Sequence, residues 1–189
     1  KKVVRELKYI TRRYGIEHFH FADAVTPNCQ WWKSFSSIKM KELCLSDVSF
    51  HAEVRPTISR EHFIYMKKVG VSDIQYGCET LSSGVLKSMR KKARVIDNLY
   101  ALKLAEEFRM VTSNNFMIRF PTEQQKHINE CQHNIYSAKA YCPFESPQNF
   151  VLEYGSSVFH EPKSFGIQQM NIRDMYCDYP ALPALLLKR

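Results

Sequence analysis

Apolar positions along the chain switch repeatedly between a helical and an alternating period. Val3, Leu7, Ile10 and Tyr14 recur at helical spacing, and Gly15 follows as a stop. Ile16 to Phe21 alternates and predicts a strand, and Gln30 to Leu43 returns to the helical pattern. Val48 to Val54 predicts a second strand, ended by Pro56. Ser59 is placed to cap the next helix, which carries Phe63 and Met66 on its inner face and closes at Gly70. Val71 to Tyr76 is a third strand. Helical stretches follow at Ser83 to Met89 and Arg94 to Phe108, the latter with Ile96, Leu99, Tyr100 and Leu104 as its apolar stripe. Met110 to Ile118 is a fourth strand. Thr122 with Gln125 fits a capping box for a helix running to about Tyr141, and Phe150 to Tyr154 is a fifth strand.

Strands alternating with helices of this length imply a parallel sheet with right-handed crossovers. No Gly-rich dinucleotide turn follows any strand, so the pattern predicts an α/β fold of partial (β/α) barrel type, TIM-like, and not a doubly wound sheet. From Gly155 onward Pro, Gly and aromatic residues leave no regular period. The expected division is a barrel core over residues 1–168 and the start of a C-terminal extension over 169–189. The chain opens at Lys1 without Met and stops at Arg189 after Leu185-Leu186-Leu187, and both ends read as cuts within a longer protein.

With 44% apolar residues in 189, the chain can bury a real core. A net charge of +8 raises anionic partners as a class, although solvated lysines produce the same sum. No apolar run has the length of a membrane span. The six cysteines are dispersed, with none at the short spacings of zinc or iron–sulfur ligands; reduced thiols in a cytoplasm are expected.

In a parallel barrel the active site lies at the C-terminal ends of the strands. Those ends carry Asp23, then Glu53 and Arg55, then Gly77-Cys78-Glu79-Thr80, then Asn115 and Phe120-Pro121-Thr122-Glu123, then Glu153 to Ser157. Acids, an arginine and an amide converging on one mouth suit a ligand with both an ammonium and a carboxylate group.

The run Gly70-Val71-Ser72-Asp73-Ile74-Gln75-Tyr76-Gly77-Cys78-Glu79-Thr80-Leu81-Ser82, followed by Val85-Leu86-Lys87-Ser88-Met89-Arg90-Lys91, resembles the middle of radical S-adenosylmethionine (SAM) enzymes. There a strand ending in a Gly-x-Glu-Ser turn precedes a helix ending in Met-x-Lys. Phe21-Ala22-Asp23, Val48 to Arg55 and Asn115 to Glu123 are similar to that family's second, third and fifth strands. Glu153 to Ile167 is similar to the cobalamin-dependent branch, which includes C-methyltransferases of ribosomal peptides and magnesium-protoporphyrin ester oxidative cyclases. The resemblance spans about residues 1 to 168 in order.

The resemblance implies an enzyme that uses a 4Fe–4S cluster to cleave SAM to a 5′-deoxyadenosyl radical, for C-methylation or oxidative cyclisation, with cobalamin in this branch. It implies SAM contacts from Glu79 (ribose or methionine end), Arg55 (carboxylate) and Asn115 (nucleoside), with Asp23 beside the cluster. It also implies a small-molecule or peptide substrate and an N-terminal domain of the same protein as partners. The family's first strand and its Cys-x3-Cys-x2-Cys loop are absent from this sequence, so the isolated chain is expected to bind none of these cofactors and to be inactive. Thr122 stands where the family has glycine, and Ile118-Arg119 replaces a glycine-containing approach.

Two other classes compete. His18 and His20 share one strand face, as the first ligands of metal-dependent barrel hydrolases do, but ordinary packing or hydrogen bonding is the expected role. Lys87, Arg90, Lys91, Lys92 and Arg94 form a basic run suited to nucleic acid; without a stacking aromatic ladder, a solvated helix end is favoured. Cys78 and the pair Trp31-Trp32 are expected to pack structurally.

Overall fold

A computed structural model describes residues 1–23, 26–42, 48–141 and 147–167. Helix α1 (Lys2–Tyr14) leads into β1 (His18–His20), α2 (Cys29–Glu42), β2 (Ser49–Val54), α3 (Arg60–Val69) and β3 (Val71–Glu79). Then come α4 (Ser83–Ser88), α5 (Val95–Glu107), β4 (Val111–Ile118), α6 (Gln125–Ser137), β5 (Gln148–Asn149) and α7 (Ser157–His160), with a final 3-10 turn over Pro162–Phe165. The strands pair in parallel in the order of the chain, β1-β2-β3-β4-β5, as a curled half-barrel. Strand order that never reverses is the topology of a barrel wall and lacks the switch point of a doubly wound sheet.

Alternation along each strand sorts the side chains into two layers. Phe50, Ala52 and Val54 of β2 and Ile74, Tyr76 and Cys78 of β3 are buried in the main core with Trp32, Phe63, Met66 and Leu102 from the helices. The opposite, concave face carries Ser49, His51 and Glu53 beside Asp73, Gln75 and Glu79, all only partly buried. One face of the wall is a core, and the other is a polar surface.

Gly15 and Gly70 end α1 and α3 in the left-handed conformation (φ 68° and 92°), as their positions predict. A side chain at residue 70 would also bring its Cβ within 2.8 Å of the Val48 carbonyl oxygen. Trp32 is fully buried and donates from Nε1 to Thr26 Oγ1 at 2.8 Å, while Trp31 stacks on Phe35 with ring centroids 4.9 Å apart. The tryptophan pair therefore packs structurally, and Cys78 is likewise buried.

Four details differ from the sequence pattern. In α1, Val4 and Leu7 face the core while Val3 and Tyr14 are exposed. In α5 the buried stripe is Asn98, Ala101, Leu102, Leu104 and Ala105, and Ile96 and Tyr100 face outward. The cause is Asn98: its Nδ2 donates to the Cys78 and Thr80 carbonyls at 3.0 Å each, satisfying strand-end acceptors that a hydrophobic residue would leave unpaired. Helix α6 starts from Gln124, whose N–H donates to His127 Nδ1 at 3.2 Å, and not from a Thr122–Gln125 box. The fifth strand is Gln148–Asn149, earlier and shorter than Phe150 to Tyr154, because pairing is set by Met117 and Ile118 of β4. The expected 169–189 extension lies outside the described residues.

Candidate functional site

Two clefts open at the C-terminal ends of the strands. The first, of about 540 Å³, is walled by Glu53 and Arg55 after β2, Gln75, Gly77 and Glu79 of β3, Asn115 of β4, and Arg90, Lys91 and Lys92 after α4. The second, of about 630 Å³, continues past Glu79, Lys91 and Asn115 to an apolar wall that includes Met89, Met117, Phe120, Phe150 and Phe165. Glu79, Lys91 and Asn115 thus stand on the shared boundary.

Of the four residues expected in the site, Arg55, Glu79 and Asn115 line the first cleft together, and Glu79 and Asn115 line the second as well. Asp23 lies three residues past β1, exposed and outside both walls. The inner-face residues of successive parallel strands end at one level, which is why positions distant in sequence meet here.

Backbone conformation fixes the boundary. Glu79 ends β3 with φ 61°, a left-handed value uncommon for a residue with a Cβ. Its Oε1 accepts from Lys91 Nζ at 2.8 Å. Arg90, also left-handed (φ 58°), turns the chain out of α4 toward that lysine. Arg90 Nη2 donates to Glu161 Oε2 at 2.7 Å and to Ser164 Oγ at 3.1 Å, and its guanidinium lies 4.9 Å from the Phe165 ring centroid. The start of α4 is tied down by Glu130, whose carboxylate accepts from Ser82 Oγ at 2.7 Å and the Ser83 N–H at 3.0 Å. Burial alone would raise the Glu130 carboxyl, but these hydrogen bonds bring it below the usual carboxylate range.

The basic run is therefore largely committed. Lys91 pairs with Glu79, Arg90 with Glu161, and Arg94 with Asp97 at 2.9 Å, where Asp97 also accepts from the Arg94 N–H at the start of α5. Among the described residues, Arg55 and Lys92 are the cleft cations without an ion pair, and both are exposed. The sequence pattern missed Lys91 and Lys92 as cleft residues because only the left-handed turn at Arg90 brings them back over β3.

At the fourth strand end, Arg119 adopts φ 63° and its N–H donates to Glu123 Oε2 at 2.6 Å. A residue with a Cβ thus occupies a conformation for which glycine is suited, at the place where the glycine-containing approach is replaced. Thr122 Oγ1 is buried without a hydrogen-bond partner among the described residues.

Among the described residues no group of three or more His, Cys, Asp or Glu side chains is arranged to hold a metal ion. His18 instead pairs through Nδ1 with Ser49 Oγ at 2.8 Å, and the His20 ring packs edge-on to His51 with centroids 4.3 Å apart. The hydrolase reading has no metal centre in this part of the chain.

Comparison with known proteins agrees with this architecture. The half-barrel superposes on the radical SAM methyltransferase TsrM from Kitasatospora setae, determined with tryptophan substrate and a SAM analogue, with a TM-score of 0.64 over 72% of this chain and 28% of that one, at 12% identity. The fold is that of the radical SAM half-barrel. It also matches the cobalamin-dependent radical SAM enzyme OxsB (TM-score 0.64, 16% identity, 87% of this chain and 25% of that one). In sequence it is 26% identical over 129 residues to an uncharacterised methyltransferase, PH0819, of Pyrococcus horikoshii, covering 68% of this chain and 28% of that protein. No family model matches the chain. It spans about a quarter of the length of these radical SAM and methyltransferase proteins. No helix among the described residues is long and apolar enough to cross a membrane.

Proposed function

We propose that this chain is the half-barrel segment of a cobalamin-dependent radical SAM enzyme, with C-methylation the reaction its relatives favour over oxidative cyclisation. The observation that carries the reading is the joining of Arg55, Glu79 and Asn115 in one cleft at the strand ends of a radical SAM fold. The donor set fits SAM: Arg55, without an ion pair, suits a carboxylate, Glu53 and Glu79 suit an ammonium or ribose hydroxyls, and Asn115 suits a nucleoside. The apolar second cleft, continuous with the first, suits an aromatic base. Bound SAM would supply the radical precursor, while these side chains orient it and limit water around it.

A 4Fe–4S cluster does not fit the residues present. The sequence holds no closely spaced cysteine triplet, and among the described residues Cys29, Cys78 and Cys131 are not grouped as ligands. Cluster ligands and any cobalamin domain belong, in this reading, to other parts of a longer protein. The isolated segment then binds SAM weakly and does not turn over.

The test uses the parent protein extended upstream of Lys1, reconstituted anaerobically with iron and sulfide. Visible cluster absorbance, and 5′-deoxyadenosine formed on adding SAM and reductant, support the reading. It also requires that Arg55→Ala or Glu79→Gln lower the second signal more than the first. An upstream sequence without a cysteine triplet, and no cluster, would overturn it.

A further inference from the structure

A second cluster of polar side chains lies lower on the concave wall. The pairing of β1, β2 and β3 sets His20 beside His51 and His51 beside Asp73, in one row across three strands. His51 Nδ1 is hydrogen-bonded to Asp73 Oδ1, and Asp73 Oδ2 accepts from Ser72 Oγ at 2.6 Å. His18 Nε2 lies 3.9 Å from the same Oδ2. Two imidazoles thus face one carboxylate and the third, His20, packs on His51, with Ser49 and Ser72 as the neutral groups beside them.

The histidine–aspartate bond decides which ring nitrogen holds the proton. Burial would raise the Asp73 carboxyl, but the bonds from Ser72 and His51, with the attraction of the His51 and His18 rings whenever these are protonated, hold it below the usual carboxylate range. An ionised Asp73 can only accept, so Nδ1 of His51 must carry hydrogen. In the neutral ring, Nε2 then presents a lone pair. That atom is buried and has no hydrogen-bond partner among the described residues. An acceptor in such a place gains from any donor that reaches it.

We propose that His51 is a proton acceptor for a polar ligand seated on the concave wall, with Asp73 as its positioning residue. The ligand class is a small molecule or side chain with an O–H or N–H to donate. In the acid–base step the ligand's O–H or N–H bond breaks and its proton joins Nε2. The bonding pair stays on the ligand, and the imidazolium is balanced by Asp73; no electron is exchanged. Glu53 and Gln75, two residues farther along the same strand faces, line the first cleft, so the acceptor lies about 7 Å along the wall from that cleft's lining. The exposed His20 ring, packed on His51, is the group that a ligand would displace.

This site is independent of the SAM reading and is tested without turnover. Long-range proton–nitrogen NMR of the full chain should show neutral His51 with hydrogen on Nδ1 and none on Nε2. Diethyl pyrocarbonate, which acylates unprotonated imidazole nitrogen, serves as the probe of reach, with sites mapped by mass spectrometry. His18 and His20 should react first, and His51 about tenfold faster in His20→Ala than in the wild type, as a packed side chain is removed. His20→Ser serves if His20→Ala loses its circular dichroism signature. Hydrogen on Nε2, no reaction at His51 in either protein, or stoichiometric zinc retained after dialysis would each overturn the proposal.

Discussion

Lys91 Nζ donates to Glu79 Oε1 at 2.8 Å, and this ion pair stands on the boundary between the two clefts. Glu79 is mostly buried at the end of β3, whereas Lys91 is about half exposed. The lysine is thus the solvent-facing partner of the carboxylate on which the proposed SAM site depends.

Replacing Glu79 should separate stability from binding. With its lysine about half exposed, the pair is screened by water and contributes about 1 kcal/mol, so Glu79→Gln should shift the unfolding midpoint of the isolated chain only slightly. In the extended, reconstituted protein the same change should weaken SAM binding about tenfold, through the lost charge-assisted bond. Chemical denaturation and calorimetric titration give the two readings.

Acid should act through Asp73. Its folded pKa is depressed, so the stability it contributes is present above the unfolded value of about 3.9 and is lost as pH falls through the lower folded value. Asp73→Asn should therefore be less stable than the wild type at neutral pH. The gap should close below about pH 4. Urea unfolding at several pH values measures it; a gap constant with pH would remove the charge from the account.

Lys39 is a buried cation that serves the fold. Its Nζ donates to the Val48 carbonyl at 3.1 Å and to the Val69 carbonyl near the end of α3, and it lies 5.0 Å from the Phe50 ring centroid. Lys39→Met keeps the packing but leaves two acceptors unpaired, an expected loss of about 1–3 kcal/mol. Burial also lowers the lysine's pKa, so the fold holds fewer protons than the unfolded chain between the two values. Stability of the wild type should rise with pH across that window, which ends near the ordinary lysine value of about 10.4, and Lys39→Met should lack the rise.

Gly84 tests the packing of α6 on α4. In most helices Gly→Ala stabilises by up to about 1 kcal/mol. Here a Cβ would meet His127 Nε2 at 2.5 Å and Cδ2 at 2.8 Å. Gly84→Ala should destabilise the wild type and stabilise a His127→Ala background, a reversal of sign that a double-mutant cycle would read directly.

Local pattern was enough for the order of strands and helices, because burial on one side of a parallel wall imposes periods of 2 and 3.6 that need no partner to be seen. Gly15 and Gly70 were legible as helix ends for a related reason: the left-handed conformation they adopt is strained for other residues. Parallel strands also place their ends at one level, so Arg55, Glu79 and Asn115 stood among the strand-end residues, and the family resemblance picked them out; Asp23, picked out in the same way, lies outside both clefts. Tertiary structure decided what depends on distant partners. Asn98 turns α5 because acceptors at Cys78 and Thr80 need it, and Lys91 enters the site through the turn at Arg90. His51 meets Asp73 through strand register, 22 residues away in sequence. A hydrophobic period records which side of an element is buried; it carries no record of which polar group waits across the gap, and that is set only when the strands pair.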